Sequence, residues 1–249
     1  MKKVIKKAAI GMVAFFVVAA SGPVFAAVGD QGVDWSKYNG DYGNFGYDHD
    51  KFAFSQIGGT YGGLFVDQAT YSTQVASTIA QGKRAHTYIW YQVGGSQEVA
   101  KAALDRYLSK IQTPKNSIVA LDYESGASGD KQANTDAILY GMRRVKAAGY
   151  TPMYYTLANV NYKQIIKEFP NSLWIAAYPN YEVTPVPNYS FFPSMDGISV
   201  FQFTSTYVAG GLDGNVDLTG ITDKGYENGN ATKPDTDTPA TDTVKMPTK

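Results

Sequence analysis

The stretch Ser117-Ile118-Val119-Ala120-Leu121-Asp122-Tyr123-Glu124, closed by Ser125-Gly126, governs how the rest of this 249-residue chain is read. A short apolar run bounded by turn residues predicts a buried strand. A segment of helical periodicity follows, Gln132 to Ala148, in which Ala137, Ile138, Met142 and Val145 share one face and Gly149 supplies the stop. Pro152-Met153-Tyr154-Tyr155 then predicts a second strand. Strand, helix, strand at this spacing is the unit of a parallel sheet. The first strand also ends in two acids. Side chains alternate along a strand, so Asp122 and Glu124 share one face, their Cα atoms about 6.6 Å apart. Mutual repulsion separates the pKa values of such a pair, one carboxyl keeping its proton while the other stays charged. That division suits acid catalysis on an acetal, although D-x-E by itself more often marks a solvated face.

The same alternation extends in both directions. Helical periodicity covers Ala69 to Gln81, Gln97 to Ile111 and Val160 to Phe169. Strand-like runs fall at Gly32 to Trp35, Gly63 to Val66, His86 to Tyr91, Leu173 to Ala176 and Ile198 to Phe203. From about Val183 helical patterning thins out. The fold class expected is α/β: an irregular, incomplete, TIM-like (β/α) barrel with a short-loop C-terminal strand region.

Both ends of the chain read differently from this middle. Lys2, Lys3, Lys6 and Lys7 precede an apolar run from Ala8 to Ser21, Pro23, and the small-residue pattern Val24-Phe25-Ala26. This predicts a cleaved secretory signal peptide over 1–26, too short for a membrane span. Without those four lysines the formally neutral chain carries a net charge of −4, which argues against nucleic acid as a partner. From Gly225 the sequence turns to Thr, Asp and Pro, a composition that buries too little surface to offset ordering entropy. The expected division is therefore 1–26 leader, 27–224 barrel and 225–249 disordered tail or linker.

There is no cysteine, and there are only His49 and His86. A secreted chain without disulfides must rely on its core, which about 200 residues can supply. Scarce imidazole and absent thiol speak against most metallohydrolase and His-based triad schemes. G-x-S-x-G, P-loop and G-x-G-x-x-G motifs are absent too. No cofactor or metal is expected. His86 is read as a hydrogen-bonded strand residue and His49, between Asp48 and Asp50, as part of a solvated loop. Arg143-Arg144 is read as an exposed helix face.

In such barrels the chemistry sits at the C-terminal strand ends. Acids occur there at Asp34, in Gly32-Val33-Asp34-Trp35-Ser36, at Asp122 and Glu124, and at Asp217, in Val216-Asp217-Leu218. Aromatic residues crowd the same ends: Tyr88, Trp90, Tyr91, Tyr123, Tyr155, Trp174 and Tyr178. Any one aromatic taken alone fits ordinary barrel core.

Together with Met153-Tyr154-Tyr155-Thr156, Leu173-Trp174-Ile175-Ala176-Ala177-Tyr178 and Phe201-Gln202-Phe203-Thr204-Ser205, these blocks resemble family 25 glycoside hydrolases, the N-acetylmuramidases or CH-type lysozymes. The resemblance runs from about Gly32 to Ile221. Asn39, Phe203 and Thr219 depart from the usual residues, and Gln56-Ile57-Gly58-Gly59-Thr60-Tyr61 replaces a Lys-x-x-Glu-Gly type stretch. The resemblance implies that Glu124 is the general acid, that Asp122 stabilises charge at the anomeric carbon, and that Asp34 and Asp217 hold sugar or water. It also implies that Tyr88, Trp90, Tyr91, Tyr123, Tyr155, Trp174, Tyr178 and Gln202 bind substrate. The expected protein is a secreted, monomeric muramidase acting on bacterial peptidoglycan glycan strands, extracellular or wall-associated. The competing expectation is a non-catalytic glycan-binding module on the same barrel, for which intact acids would have no use.

Overall fold

The computed structural model describes residues 28–155, 159–227 and 244–245. The expected leader and most of the expected tail lie outside the described residues. The strands are β1 (Gln31–Trp35), β2 (Phe52–Tyr61), β3 (Leu64–Asp67), β4 (Arg84–Tyr91), β5 (Ile118–Asp122), β6 (Thr151–Tyr155), β7 (Leu173–Ala176), β8 (Ile198–Thr204), β9 (Asp213–Asp217) and β10 (Val244–Lys245). The α-helices are α1 (Tyr71–Ala80), α2 (Gln97–Tyr107), α3 (Lys131–Ala147) and α4 (Tyr162–Glu168).

Eight strands close a ring in the order β1-β2-β4-β5-β6-β7-β8-β9 and back to β1. Neighbours from β1 to β8 run parallel, and β9 runs antiparallel to both β8 and β1. β3 folds back on β2 as a hairpin and β10 pairs with β3 outside the ring. The expected α/β barrel is present, and its incompleteness lies in the helical layer. Among the described residues no α-helix follows β1, β8 or β9, and the stretch between β7 and β8 carries only a 3-10 turn at Tyr189–Phe191.

Strand alternation sorts the interior into three cores. Phe52, Phe54, Ile118, Ala120, Met153 and Val200 fill the ring itself. Their neighbours along the strands, including Ala85, Ile89, Val119, Leu121 and Tyr154, pack outward against the helices. There α3 contributes Ala137, Ile138, Met142 and Val145, the face that its periodicity predicted. Asp130 caps this helix by accepting from the Gln132 and Ala133 amides. On the side without helices, Val33, Trp35, Phe201, Phe203 and Val216 are covered by loop residues such as Phe45, Tyr47 and Tyr207.

Sequence reasoning placed a strand at 63–66 and missed the longer β2 before it. Gly58-Gly59 reads as a turn, yet both lie in the sheet. A Cβ on Gly59 would stand 2.2 Å from the Trp90 carbonyl oxygen, so only glycine permits β2 and β4 to approach here. The register also shifts between Gln56 and Gly58, a bulge at which Gly58 takes φ 151°.

Buried polar groups close the N-terminal end of the barrel. Arg84, 1% exposed, donates to Asp30 and Asp223, each at 2.8 Å. His86 receives the Ile118 amide on Nδ1 and pairs through Nε2 with the Thr222 carbonyl, and burial pushes its pKa down to about 3. It is a neutral structural residue, as read from the sequence. Tyr226 is buried and its hydroxyl bonds both the amide and the carbonyl of Ala85. The packed chain thus continues two residues past the expected boundary at 224. Among the described residues no helix is long and apolar enough to cross a membrane.

Candidate active site

A cavity of about 420 Å³ opens at the C-terminal ends of the parallel strands. Four acids line it: Asp34 from the end of β1, Asp122 from the end of β5, Glu124 two residues beyond, and Asp213 from the start of β9. Asp34, Asp122 and Glu124 were foreseen. Asp217 was expected as the fourth and is not in the cavity. Because β9 runs antiparallel, its last residue lies at the opposite end of the barrel from the last residue of β1. There the fully buried Asp217 carboxylate accepts from the amides of Thr219, Gly220, Ile221 and Thr222 and from the Thr222 hydroxyl. It shapes a turn outside the cavity. Asp213 pairs in register with Asp34 and takes the place that the sequence reading gave to Asp217.

The acids form two pairs. Asp122 is 5% exposed, and Glu124 reaches solvent at the mouth. Burial raises both carboxyls above the ordinary range, and the charge of Glu124 raises Asp122 further. The two carboxyls act on each other strongly enough that they titrate as a pair rather than singly. Across the cavity, burial and the neighbouring Asp34 carry Asp213 up to about 8. Asp34 is raised by burial too, offset by hydrogen bonds from Asn215, Gln202 and Asp213.

Asp34 is held firmly. Its Oδ2 accepts from Gln202 Nε2 at 2.9 Å and from Asn215 Nδ2 at 2.8 Å. Gln202 in turn accepts from the Tyr155 hydroxyl, and Asn215 from Trp174 Nε1 at 2.7 Å. One polar chain therefore ties β6, β8, β1, β9 and β7 together beneath the acids. Gln202 and Trp174, expected to bind substrate, direct these polar atoms to their neighbours. Trp174 stacks on Phe54 at 4.4 Å and floors the cavity.

The remaining aromatics divide by strand face. Tyr88, Trp90 and Tyr155 line the cavity. Tyr91 and Tyr123 were expected to bind substrate but alternate to the outer face, where both are buried in the core under the helices. Tyr178 does not line the cavity, although the charges of Asp213 and Glu124 act on its hydroxyl. Sequence reasoning missed Gln56, Tyr61, Gln68, Lys37 and Tyr38, all of which line the site. Tyr61 lies parallel to Trp90 at 5.5 Å with its hydroxyl bonded to Gln56 Nε2, making a flat aromatic wall. The signal that could have found it was the aromatic pair bracketing Gly59, but the glycines hid the strand. His49 stacks on Tyr47 and bonds the Tyr207 hydroxyl, away from the cavity. Among the described residues no group of His, Cys, Asp and Glu forms a metal site.

A barrel whose mouth gathers paired carboxyls between aromatic walls defines a glycoside hydrolase. The chain belongs to glycosyl hydrolases family 25, whose sequence model matches residues 33–212. A D-alanyl-L-alanine endopeptidase of Streptococcus phage B30 is 48% identical over 136 residues, which cover 53% of this chain and 31% of that protein. A lysozyme of Streptococcus phage Cp-7 is 41% identical over 136 residues, 53% of this chain and 39% of the relative. The chain thus spans well under half the length of these two curated relatives. Among solved structures, the modular Cpl-1 endolysin complexed with a peptidoglycan analogue superposes with a TM-score of 0.66 at 32% identity, over 78% of this chain and 55% of that one.

Proposed function

We propose that this protein is a muramidase that hydrolyses the β-1,4 bond between N-acetylmuramic acid and N-acetylglucosamine in bacterial peptidoglycan, and that it acts outside the cell. The observation that carries the reading is the Asp122–Glu124 pair, two carboxyls raised by burial at the mouth of a cavity with aromatic walls. Glu124, the solvent-facing member, protonates the leaving glycosidic oxygen. With the proton on Glu124, Asp122 is the charged partner facing the anomeric centre. Both carboxyls enter the cavity from the end of β5, and so approach the scissile bond from one side. Asp122 is therefore suited to orient the sugar's own 2-acetamido group for attack on the anomeric carbon. Water then releases the product, with Glu124 taking the proton back. Asp34 and Asp213 face this pair across the cavity and set its field.

The endopeptidase name of the phage B30 relative belongs to a protein of which less than a third is matched. A peptidase would give free amines from purified wall, whereas a muramidase gives new reducing ends. The Glu124→Gln variant tests the assignment. It should fold normally and lose reducing-end release by at least about 100-fold; near-normal turnover would remove Glu124 from the mechanism.

A further inference from the structure

The cavity lining contains four acids and, among the described residues, a single cation, Lys37. It sits on the 3-10 turn Lys37–Asn39 just after β1, three residues along the chain from Asp34. That turn is built to stay in place. Ser36 and Asn39 cap it reciprocally, the Asn39 side chain accepting from the Ser36 amide at 2.9 Å. From α1, the fully buried Gln74 donates to the carbonyls of Ser36 and Gly40, each at 2.9 Å. The Lys37 ammonium lies 5.0 Å from the Tyr38 ring centroid, and Tyr38 itself is 86% exposed. Among the described residues Lys37 makes no ion pair, and it is the one cation among those that line the cavity. A rigid turn thus presents an unneutralised cation and an exposed ring at the rim of an acidic cavity.

An acidic cavity repels an acidic ligand, so a ligand bearing a carboxylate needs that group directed to a cation away from the catalytic pair. We infer that Lys37, backed by Tyr38, receives a carboxylate carried as a substituent on the glycan and so fixes which sugar sits on the β1 side of the cleavage point. This rests on the muramidase reading. The carboxylate is either that of a lactyl ether freed of its peptide or one on the attached peptide. Lys37 is a specificity residue here; it donates no proton to the reaction.

The test compares three glycan substrates: strands carrying stem peptides, strands stripped to the lactyl carboxylate, and stripped strands whose carboxylates have been converted to methylamides. Wild type should show a KM about three- to five-fold higher on the neutral strands than on a charged form, a rim-charge effect that shrinks as salt rises. In Lys37→Gln that ratio should fall to about one, and Lys37→Arg should restore it. Preference for the stripped form over its methylamide identifies the lactyl group; preference confined to the peptide-bearing form identifies the peptide. The inference is overturned if Lys37→Gln keeps the wild-type ratio, or if it weakens charged and neutral strands alike. Should wild type cleave none of the strands, the muramidase reading fails on its own account. Calorimetric binding of stripped and methylamidated strands by wild type and Lys37→Gln then decides the role of Lys37 by the same ratio.

Discussion

Asp213 and Asp217 stand four residues apart on β9 and do opposite work. Asp217 is enclosed by four amides and a hydroxyl, so Asp217→Asn places an amide where only an acceptor fits. It should cost about 2–4 kcal/mol in chemical denaturation and leave the turnover of the folded fraction intact. Asp213→Asn should reduce turnover by about 100-fold or more while raising stability. The sign follows from its pKa, carried from 3.8 to about 8 by burial and by Asp34. The folded state keeps a proton that the unfolded chain gives up, so this group's contribution is present below pH ~4 and is lost as pH rises through about 8. Thermal melts should therefore show Asp213→Asn gaining little at pH 4 and a few degrees at pH 8. A gain independent of pH would contradict the raised pKa of Asp213. Activity should also fall on the alkaline side at a pH above the ordinary carboxylate range, because the Asp122–Glu124 pair loses its proton only there. At this scale the D-x-E pair was legible because alternation along one strand is a strict rule. Asp213 was not, because Leu212-Asp213-Gly214-Asn215 reads as a polar turn.

The elements that shape the site are the ones whose glycines conceal them. β2 carries Gln56 and Tyr61 to the cavity only because Gly59 lets it lie against Trp90, and α2 braces the hairpin through Tyr107, whose single hydroxyl proton lies between the Gly59 and Val66 carbonyl oxygens, 2.9 and 3.0 Å from its oxygen. Gly59→Ala should cost about 2–3 kcal/mol and reduce kcat/KM, because the new methyl forces apart the strands that hold the Tyr61–Trp90 wall. Gly62→Ala meets nothing within 4 Å and should cost about 1 kcal/mol, from its left-handed φ of 52° alone. Equal effects of the two on kcat/KM would mean that the wall does not depend on close strand approach. The parallel βα units were legible from periodicity, α3 above all. The direction of β9 was not, since a five-residue strand with two acids and a glycine carries no signal of which way it runs. That single unread reversal moved the fourth acid from one end of the barrel to the other.

Over the whole molecule, the closed ring separates stability from chemistry. The N-terminal end is fastened by Arg84 with Asp30 and Asp223, by His86, and by Tyr226, while the C-terminal end holds the raised carboxyls. Arg84→Ala should lower stability by about 3 kcal/mol, because it takes a buried cation away from Asp30 and Asp223 and opens a buried space, with little effect on KM of the folded fraction. A KM change as large as the stability loss would mean that the two ends are coupled. The central claim concerns the bond that is cut. Its most direct measurement is mass spectrometry of fragments released from defined peptidoglycan by wild type and by Glu124→Gln. The account predicts wild-type fragments ending in N-acetylmuramic acid reducing ends, with stem peptides intact, and none from the variant. Fragments with cleaved peptides and uncut glycan, or identical yields from both proteins, would contradict it.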